Sequence, residues 1–471
     1  MRVSMKFHWI TAVWGERYTE LFVNLVMPTQ VSPGNFPALQ CRAGSVYKIY
    51  APAAEIAVIR ASTAFARLAA LVPVQFIEIG GADAVLLRSW PHEVMIRCHR
   101  QAYEDATAEG AAAVFLAPDA ILTDGSFAAL ERRALEGYSI LLTPGLLAAL
   151  ETGRPWIENR CRERDGSIRL TSQQATVMTR QCPQSFFEKL SVTEPEFANN
   201  WPSYMWAAVN ESSLIYRAWH LHPILVHSRQ ATALVTTIDS GEFFDEARAA
   251  GESFYLFDDA AEFCLVELSS YHQRAGYLDD LRPFCADRVA AWVSDHTSLA
   301  GRELVQRSIV FDGGDATQAA IDAADRILAN CVESVLARVG DGLPTLRALA
   351  SLDDLDPGIP TYFYGAGAFG QELLAVLGDP PGRDFRGFID SHRSGICQGY
   401  PVFDPAQFRA AYRPGDQVVI TSMYVREIAA TLAEWRIARP FDATLWYRRR
   451  RHLERVGSVS LSALPLEGYL S

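Results

Sequence analysis

Asp119 is the acidic residue whose position in the sequence best suits chemistry. It follows the stretch 111–116, an almost wholly apolar run that is typical of a strand buried on both faces of a parallel sheet. Ligands of open α/β sheets bind beyond the carboxyl ends of such strands. Mg²⁺ and Mn²⁺ prefer oxygen ligands and stabilise the negative charge that develops on a diphosphate leaving group. Asp119 is therefore a candidate ligand for such an ion.

A second metal ligand is predicted in the histidine-rich stretch that contains His220, His222 and His227. Imidazole is a suitable ligand for Mn²⁺, so we predict that His222 completes the site with Asp119. The alternative is that His222 is a buried histidine held by a hydrogen bond. If residues 220 and 222 lie on one strand, their side chains share one face of it.

Two aspartates of the same segment are candidates for a catalytic base. A carboxylate must deprotonate the acceptor hydroxyl in an inverting group transfer. We predict Asp239, and after it Asp258, which follows the apolar run 253–257. The alternative for the Asp258-Asp259 pair is a helix cap with a turn.

A glycine-rich loop lies in the last third of the chain, at Gly365, Gly367 and Gly370. The predicted strand 359–364 precedes it and the predicted helix 371–377 follows it, which is the context that a dinucleotide-binding loop requires. The first glycine permits a tight turn, the second lets a pyrophosphate approach the backbone, and the third lets helix and strand pack closely. We predict a nucleotide or NAD at this loop.

Asp390 strengthens that prediction. It ends the next predicted strand, at the spacing from the loop where an acidic side chain binds the ribose hydroxyls of an adenosine. The alternative is that the glycines only turn the chain and Asp390 is solvated. No Tyr is followed four residues later by Lys downstream of the loop, which argues against a short-chain dehydrogenase. No GxSxG motif follows a predicted strand, so a serine hydrolase is not supported either.

The elements that must position these residues alternate between strand and helix, which predicts an α/β fold with parallel strands. A polar, proline-containing break at 353–360 predicts a domain boundary. The pattern of 151–200 allows no assignment beyond helices with loops. The predicted strands span 6–14, 45–50, 74–79, 111–116 and 138–142, and the predicted helices span 18–27, 55–71, 91–109 and 126–137, with further helices over 278–349.

Composition excludes several classes of protein. The chain has 471 residues, is 49% apolar and carries a formal net charge of −12 with no broad basic face, so we expect no nucleic-acid partner. The run Arg448–Arg451 is the exception, and a solvated helix end explains it as well. Eight scattered cysteines without a CxxC pair or a secretory leader favour reduced thiols and a cytoplasmic location. Apolar runs are too short for a transmembrane segment.

The N-terminal part, over about residues 5–270, resembles a GT-A glycosyltransferase of bacterial envelope and polysaccharide biosynthesis. The likeness rests on the strand 7–14, on Val114-Phe115-Leu116-Ala117-Pro118-Asp119, on Thr123-Asp124-Gly125-Ser126-Phe127 and on His220-Leu221-His222-Pro223. The resemblance implies a nucleotide-sugar donor and a divalent cation held by an Asp-x-Asp motif at the strand end. This sequence departs from that pattern, because Ala117 occupies the first acidic position.

The C-terminal part, about 358–447, resembles the Rossmann domain that begins sugar acyltransferases and nucleotide-sugar dehydratases. The motifs are Tyr364-Gly365-Ala366-Gly367, Gly387-Phe388-Ile389-Asp390, Gly399-Tyr400-Pro401-Val402 and Val418-Val419-Ile420-Thr421-Ser422. In such families the unit binds a nucleotide or a nucleotide sugar, and catalysis is frequently located elsewhere.

The sequence thus predicts an α/β protein with a GT-A-like mixed sheet at 1–275, a helical connector at 276–355, a small Rossmann-type parallel sheet at 356–450 and a tail at 451–471. The predicted function is transfer of a sugar from a nucleotide-sugar donor to a glycan or small-molecule acceptor. The alternatives are an NAD-dependent nucleotide-sugar oxidoreductase or dehydratase, and a non-catalytic nucleotide-binding scaffold. The sugar, the acceptor, the stereochemical outcome and the oligomeric state are not determined by the sequence.

Overall fold

The computed structural model describes residues 5–87, 91–227, 238–239, 241–278, 281–339, 347–349, 354–377, 384–422, 425–437 and 440–443. The chain divides into two compact units, 1–339 and 340–471. The predicted tail and the run Arg448–Arg451 lie outside the described residues. The four predicted segments with their boundaries stay a prediction.

The strands of the first unit supply a central sheet and several small ones. They are β1 (Phe7–Ala12), β2 (Val46–Ala51), β3 (Val74–Glu78), β4 (Ala112–Phe115), β5 (Ala120–Leu122), β6 (Ile140–Thr143), β7 (Gly145–Ala149), β8 (Phe197–Ala198), β9 (Tyr204–Ala208), β10 (Leu214–Ala218), β11 (His222–Val226), β12 (Phe254–Leu256), β13 (Leu265–Ser269), β14 (Leu281–Arg282) and β15 (Ile309–Phe311).

The helices of the first unit connect these strands. They are α1 (Glu16–Leu21), α2 (Met27–Gln30), α3 (Ala53–Arg60), α4 (Thr63–Ala69), α5 (Gly81–Leu86), α6 (Pro91–Ala108), α7 (Ser126–Leu135), α8 (Leu150–Arg160), α9 (Ser172–Gln181), α10 (Ser185–Glu188), α11 (Gly241–Ala249), α12 (Ala286–His296), α13 (Leu299–Leu304) and α14 (Gln318–Leu336). A π-helical stretch, Phe22–Val26, joins α1 to α2, and 3₁₀ turns lie at Phe36–Ala38 and Ala275–Tyr277.

The central sheet has seven strands in the order β3-β2-β1-β4-β11-β6-β12. The strands β3, β2, β1 and β4 run parallel, as the alternation of strand and helix predicts. β11 is antiparallel to both of its neighbours, and β12 is again parallel to β6, so the sheet is mixed. Every residue of β1 and of β4 is buried, because helices such as α6 cover these strands. The prediction of buried central strands is confirmed.

Small sheets are built beside the central one. In one of them β13 lies between β5 and β7, antiparallel to β5 and parallel to β7. A second contains β15, β10 and β9, against which α14 packs, and a third pairs β14 with β8. The side chains of this unit form one continuous hydrophobic core.

Two local expectations were wrong. The predicted helix 55–71 is two helices, because Ser62 takes an extended backbone and its Oγ accepts the backbone N–H of Phe65 as the cap of α4. His220 and His222 do not share a strand face. β11 begins at His222, and the backbone N–H of His220 instead donates to the carbonyl oxygen of Ser203, the residue before β9.

The second unit contains β16 (Arg347–Ala348), β17 (Thr361–Tyr364), α15 (Ala368–Leu377), β18 (Phe385–Ile389), β19 (Gly395–Cys397), β20 (Tyr400–Phe403), α16 (Pro405–Ala411), β21 (Gln417–Ile420), α17 (Val425–Glu434) and β22 (Phe441–Asp442). The strand order is β16-β22-β21-β17-β18-β20-β19. All pairs are parallel except that of β19 with β20.

Both faces of this sheet are covered. Phe363 of β17 packs with Leu373 of α15 on one face, whereas Tyr362 packs with Phe408 of α16 and Leu432 of α17 on the other. Successive residues of a strand point to opposite faces, so β17 contributes to both cores. The α/β fold class is confirmed. Within the described residues no helix is long and apolar enough to cross a membrane, and all eight cysteines are free thiols.

Candidate functional site

Asp119 lies where the central sheet meets the small sheet of β13. It follows β4 and immediately precedes β5, whose Ala120 is opposite Glu267 in the antiparallel pairing with β13. The backbone N–H of Leu268 donates to the carbonyl oxygen of Asp119 at 2.9 Å. This pairing brings the Asp119 carboxyl close to Glu267, although the two residues are far apart in the sequence.

Asp119 and Glu267 form a carboxylate cluster with Arg274. One guanidinium nitrogen of Arg274, Nη2, donates to both carboxylate oxygens of Glu267, at 2.7 and 2.9 Å. The pKa of Asp119 is raised to about 7, first because burial penalises its charged form and second because Glu267 lies near, while Arg274 and Arg17 oppose the rise. A carboxyl with a pKa near neutrality at a strand end is the kind of group that proton transfer uses.

Two hydroxyl groups beside this cluster are buried without a hydrogen-bond partner among the described residues: those of Tyr204 and Ser269. Ser269 lies two residues after Glu267 on β13 and therefore on the same face. The pKa of Tyr204 is raised well above its ordinary value, chiefly by burial, and Arg274 and Glu267 also act on it. Both oxygens are closed to solvent, so each missing hydrogen bond costs about 1–3 kcal/mol and a bound molecule does not reach either oxygen in this conformation.

Arg274 is carried by the segment 270–278, the site loop, which is tied to several helices. Gln273 accepts from Arg17 at 3.1 Å and donates to the hydroxyl of Tyr18 at 3.3 Å. The backbone N–H of Tyr271 donates to Glu151 at 3.0 Å. Two arginines, Arg17 and Arg274, therefore stand beside the carboxylate cluster in one network.

His222 lies at the start of β11, beside the carboxyl end of β4. Its Nε2–H donates to the carbonyl oxygen of Phe115 at 3.3 Å. Burial lowers the pKa of His222, and lowers that of the neighbouring His99 to about 4. Both imidazoles are thus neutral at pH 7. Glu267 acts electrostatically on His222 as well as on Asp119, so the structure brings these groups to one region.

Asp239 lies in the same region. Its Oδ2 is 3.4 Å from Nε2 of His220, and it also acts on His222 and His99. Asp239 and His220 line a small cavity with Trp219, His296 and Ser298.

Asp258 is placed differently from Asp239. Its carboxylate accepts a hydrogen bond from Arg307, and its carbonyl oxygen accepts the backbone N–H of Val310. Asp258 is not among the charged groups that act on Asp119 or His222. Of the two predicted bases, Asp239 therefore lies with the other candidate residues.

The predicted metal ligands do not assemble into a cluster of three or more His, Cys, Asp or Glu groups within the described residues. The charged neighbours that act most strongly on Asp119 are Glu267 and two arginines, while His222 uses its Nε2–H on a backbone carbonyl. Glu267 is already bound by Arg274. The residues present therefore do not fit a resident Mn²⁺ or Mg²⁺ without displacement of Arg274.

In the second unit, the three glycines of the loop differ in why glycine is present. Gly365 has φ +126°, and a Cβ there would lie 2.5 Å from the carbonyl oxygen of Thr421. A Cβ at Gly370 would collide with the carbonyl oxygen of Gly365. Gly367 has neither a positive φ nor any atom within 4 Å of the position of a Cβ, so the fold itself does not require glycine there.

Asp390 organises this loop. Its Oδ2 accepts the backbone N–H of Ala366 at 3.1 Å, and its Oδ1 accepts those of His392 and Arg393 at 2.9 and 3.1 Å. Arg393 in turn donates to the carbonyl oxygen of Ala366 at 2.9 Å. Since an ionised carboxylate has about four lone-pair sites, capacity remains for one more donor such as a hydroxyl.

Sequence reasoning missed Glu267, Arg274 and Tyr204. One signal was present for Glu267, which is the only charged residue in the apolar run 263–268. For Arg274 and Tyr204 no sequence signal distinguishes them from other arginines and tyrosines, because their roles depend on the site loop and on β9.

No family model matches this sequence, and curated proteins give no match either. Among solved structures, the apo form of mouse xyloside xylosyltransferase 1 is similar at 13% sequence identity with a TM-score of 0.21. The match covers 34% of this chain and 60% of the mouse chain, less than two thirds of its length. A TM-score of this size carries no argument about fold or activity.

Proposed function

We propose that the first unit binds a nucleotide sugar at the carboxylate cluster and transfers the sugar to an acceptor hydroxyl, as a glycosyltransferase of polysaccharide or glycoconjugate biosynthesis. The observation that carries the proposal is the group of Glu267, Arg274 and Arg17 around Asp119, which follows the carboxyl end of the central strand β4, where open α/β sheets bind ligands.

In this proposal two arginines neutralise the negative charge of the leaving group. The acceptor oxygen bonds to the anomeric carbon as the bond from that carbon to the diphosphate oxygen breaks, and the nucleoside diphosphate departs. Arg17 and Arg274 stabilise the developing negative charge. No step requires a metal ion, and the metal predicted at Asp119 and His222 is left to experiment.

The proton of the acceptor hydroxyl passes to a carboxylate. Asp119 suits this role, because a pKa of about 7 matches a base that works near neutral pH. Asp239 is the second candidate, since it lies beside His220 in the neighbouring cavity.

The test is calorimetry and thermal shift of the full chain with UDP-, GDP-, CMP- and dTDP-sugars and NAD(H), each with and without Mn²⁺. We expect one nucleotide sugar to stabilise the protein, by about 2.7 kcal/mol at a hundredfold excess over its Kd. Arg274→Gln should weaken that binding, whereas Arg248→Gln, which removes an exposed ion pair with Glu303, should not. Binding of NAD(H) alone, abolished by Gly367→Val, would instead favour the oxidoreductase.

For the second unit, we propose that the glycine loop binds the diphosphate of a nucleotide, with Gly365, Gly367, Gly370 and Asp390 as the binding residues. The supporting observation is Gly367, where a glycine that the fold does not need leaves the backbone open to a ligand. Such a site serves equally an NAD-dependent reaction on a nucleotide sugar and a non-catalytic binding module. Turnover of NAD(H) with a nucleotide sugar would distinguish the two.

A further inference from the structure

An aromatic patch lies next to the carboxylate cluster. It consists of Trp201, Tyr277, Trp292 and His296. The rings of Trp201 and Tyr277 are stacked with centroids 5.0 Å apart at 15°, and those of Trp292 and His296 are stacked at 5.0 Å and 8°. Trp201 also meets the edges of the second pair. The patch is therefore a rigid arrangement of rings contributed by three separate segments.

Tyr277 is an exposed ring of the patch, as is His296. Tyr277 is 42% exposed although one of its faces rests on Trp201. Phe186 also lies 5.6 Å from this ring, so the part of Tyr277 that neither neighbour covers is the apolar surface presented to solvent. The apolar face of a pyranose ring is a ligand of matching shape.

Polar groups adjoin the rings. Nδ1 of His296 donates to the carbonyl oxygen of Trp292 at 2.9 Å, which leaves Nε2 of this exposed histidine as a hydrogen-bond acceptor. The indole Nε1 of Trp292 and that of Trp219 are buried without a partner among the described residues. Trp219 and His296 both line the cavity of His220 and Asp239. These two indole nitrogens are closed to solvent, so the group in this region that can accept a hydrogen bond from a sugar hydroxyl is Nε2 of His296.

The patch is continuous with the carboxylate cluster. The ring of Phe186 lies 5.6 Å from that of Tyr277, and the guanidinium of Arg274 is 5.9 Å from the same Phe186 ring. Tyr204 also contacts Phe186. Phe186 is fully buried, so this link runs through the core, and the surface element shared by the two sites is the site loop, which carries both Arg274 and Tyr277.

We propose that the aromatic patch is the acceptor subsite and that its ligand is a carbohydrate, whose pyranose ring stacks on Tyr277 while one of its hydroxyls donates to Nε2 of His296. The assignment of the patch to the acceptor rests on the proposed function, whereas carbohydrate binding at the patch is tested independently of the donor.

The test uses the full chain and saturation-transfer NMR with a panel of methyl pyranosides and short oligosaccharides. We expect at least one of them to bind. Tyr277→Phe, which keeps the ring, should bind within about twofold of wild type, and Tyr277→Leu, which keeps only an apolar side chain, should bind roughly tenfold more weakly. Ile396→Ala, which removes an exposed apolar side chain in the second unit, is the control and should change nothing.

Three results would overturn the inference: no saccharide binds, Tyr277→Leu binds as wild type does, or Tyr277→Phe and Tyr277→Leu lose binding equally. Nucleotide-sugar binding, measured on the same variants, reports folding and separates the two proposals. Saccharide binding without any nucleotide-sugar binding would contradict the proposed transferase and would still support the carbohydrate site.

Discussion

At the scale of single residues, Asp119 links burial to chemistry. Its pKa rises from 3.8 to about 7 in the folded chain. Between these two values the folded protein keeps a proton that the unfolded chain has released, so the free energy of unfolding falls as pH rises through this window. The candidate base is therefore also a source of instability at neutral pH.

We predict that Asp119→Asn stabilises the first unit at pH 8, by about 1–3 kcal/mol, and has little effect at pH 4. Asn carries no charge, so the cost of an ionised carboxyl beside Glu267 is absent. Urea unfolding at pH 4, 6 and 8 measures the difference. An equal effect of the substitution at all three pH values would show that ionisation of Asp119 is not its cause.

Asp165 provides a control of opposite sign. The hydroxyl and N–H of Ser167, and then Arg67, lower the pKa of Asp165 to about 2. The stabilisation of the folded state by this carboxylate is therefore present above pH 4 and is lost as pH falls through 2. Asp165→Asn should therefore reduce stability slightly at pH 8 and not at pH 2. The effect is small because this carboxylate is largely exposed.

At the scale of elements, a capping serine lies at the break between α3 and α4. Ser62 caps α4 through the N–H of Phe65 at 3.1 Å. We predict that Ser62→Ala costs about 1 kcal/mol of unfolding free energy, while Ser62→Asp, which can also cap, costs less. Urea unfolding of both variants measures this. If the two variants are equally destabilised, the cap is not what holds this helix end.

The glycine loop gives a second prediction at this scale. Gly370→Ala should destabilise the second unit by roughly 1–3 kcal/mol, because its Cβ meets the carbonyl of Gly365. Gly367→Ala should cost less than about 1 kcal/mol, since no atom opposes it, yet should weaken nucleotide binding if a diphosphate approaches there. Calorimetry of unfolding and of binding separates the two effects. Intact nucleotide binding in Gly367→Ala would count against the proposed site.

At the scale of the whole molecule, the two units have separate hydrophobic cores. We predict that each unfolds as its own cooperative transition. Phe408→Ala should lower the free energy of unfolding of the second unit by about 3–5 kcal/mol. Phe127→Ala should lower that of the first unit by a similar amount.

Differential scanning calorimetry with and without the nucleotide sugar tests that independence. The ligand should shift the transition that Phe127→Ala lowers and leave the other in place. A nucleotide sugar that shifts the transition lowered by Phe408→Ala would place its site in the second unit instead.

The α/β class, the buried strands β1, β4 and β17, and the strand–loop–helix context of Gly365 to Gly370 were predictable from the amino-acid sequence. These features depend on side chains within a few residues of one another, because apolar runs and glycine positions act locally. The sequence did not locate the break at Ser62, since a capping serine inside an Ala-rich run also fits one longer helix.

Which charged groups lie close together depends on how distant segments pack in the folded chain. Glu267 lies close to Asp119 because β13 pairs with β5, and Arg274 lies on the site loop that follows β13. The same packing sets Asp239 beside His220 and ties Asp258 to Arg307. Strand pairing joins segments that are distant in the chain, and it is determined by which faces bury each other, so no local pattern could reveal the carboxylate cluster.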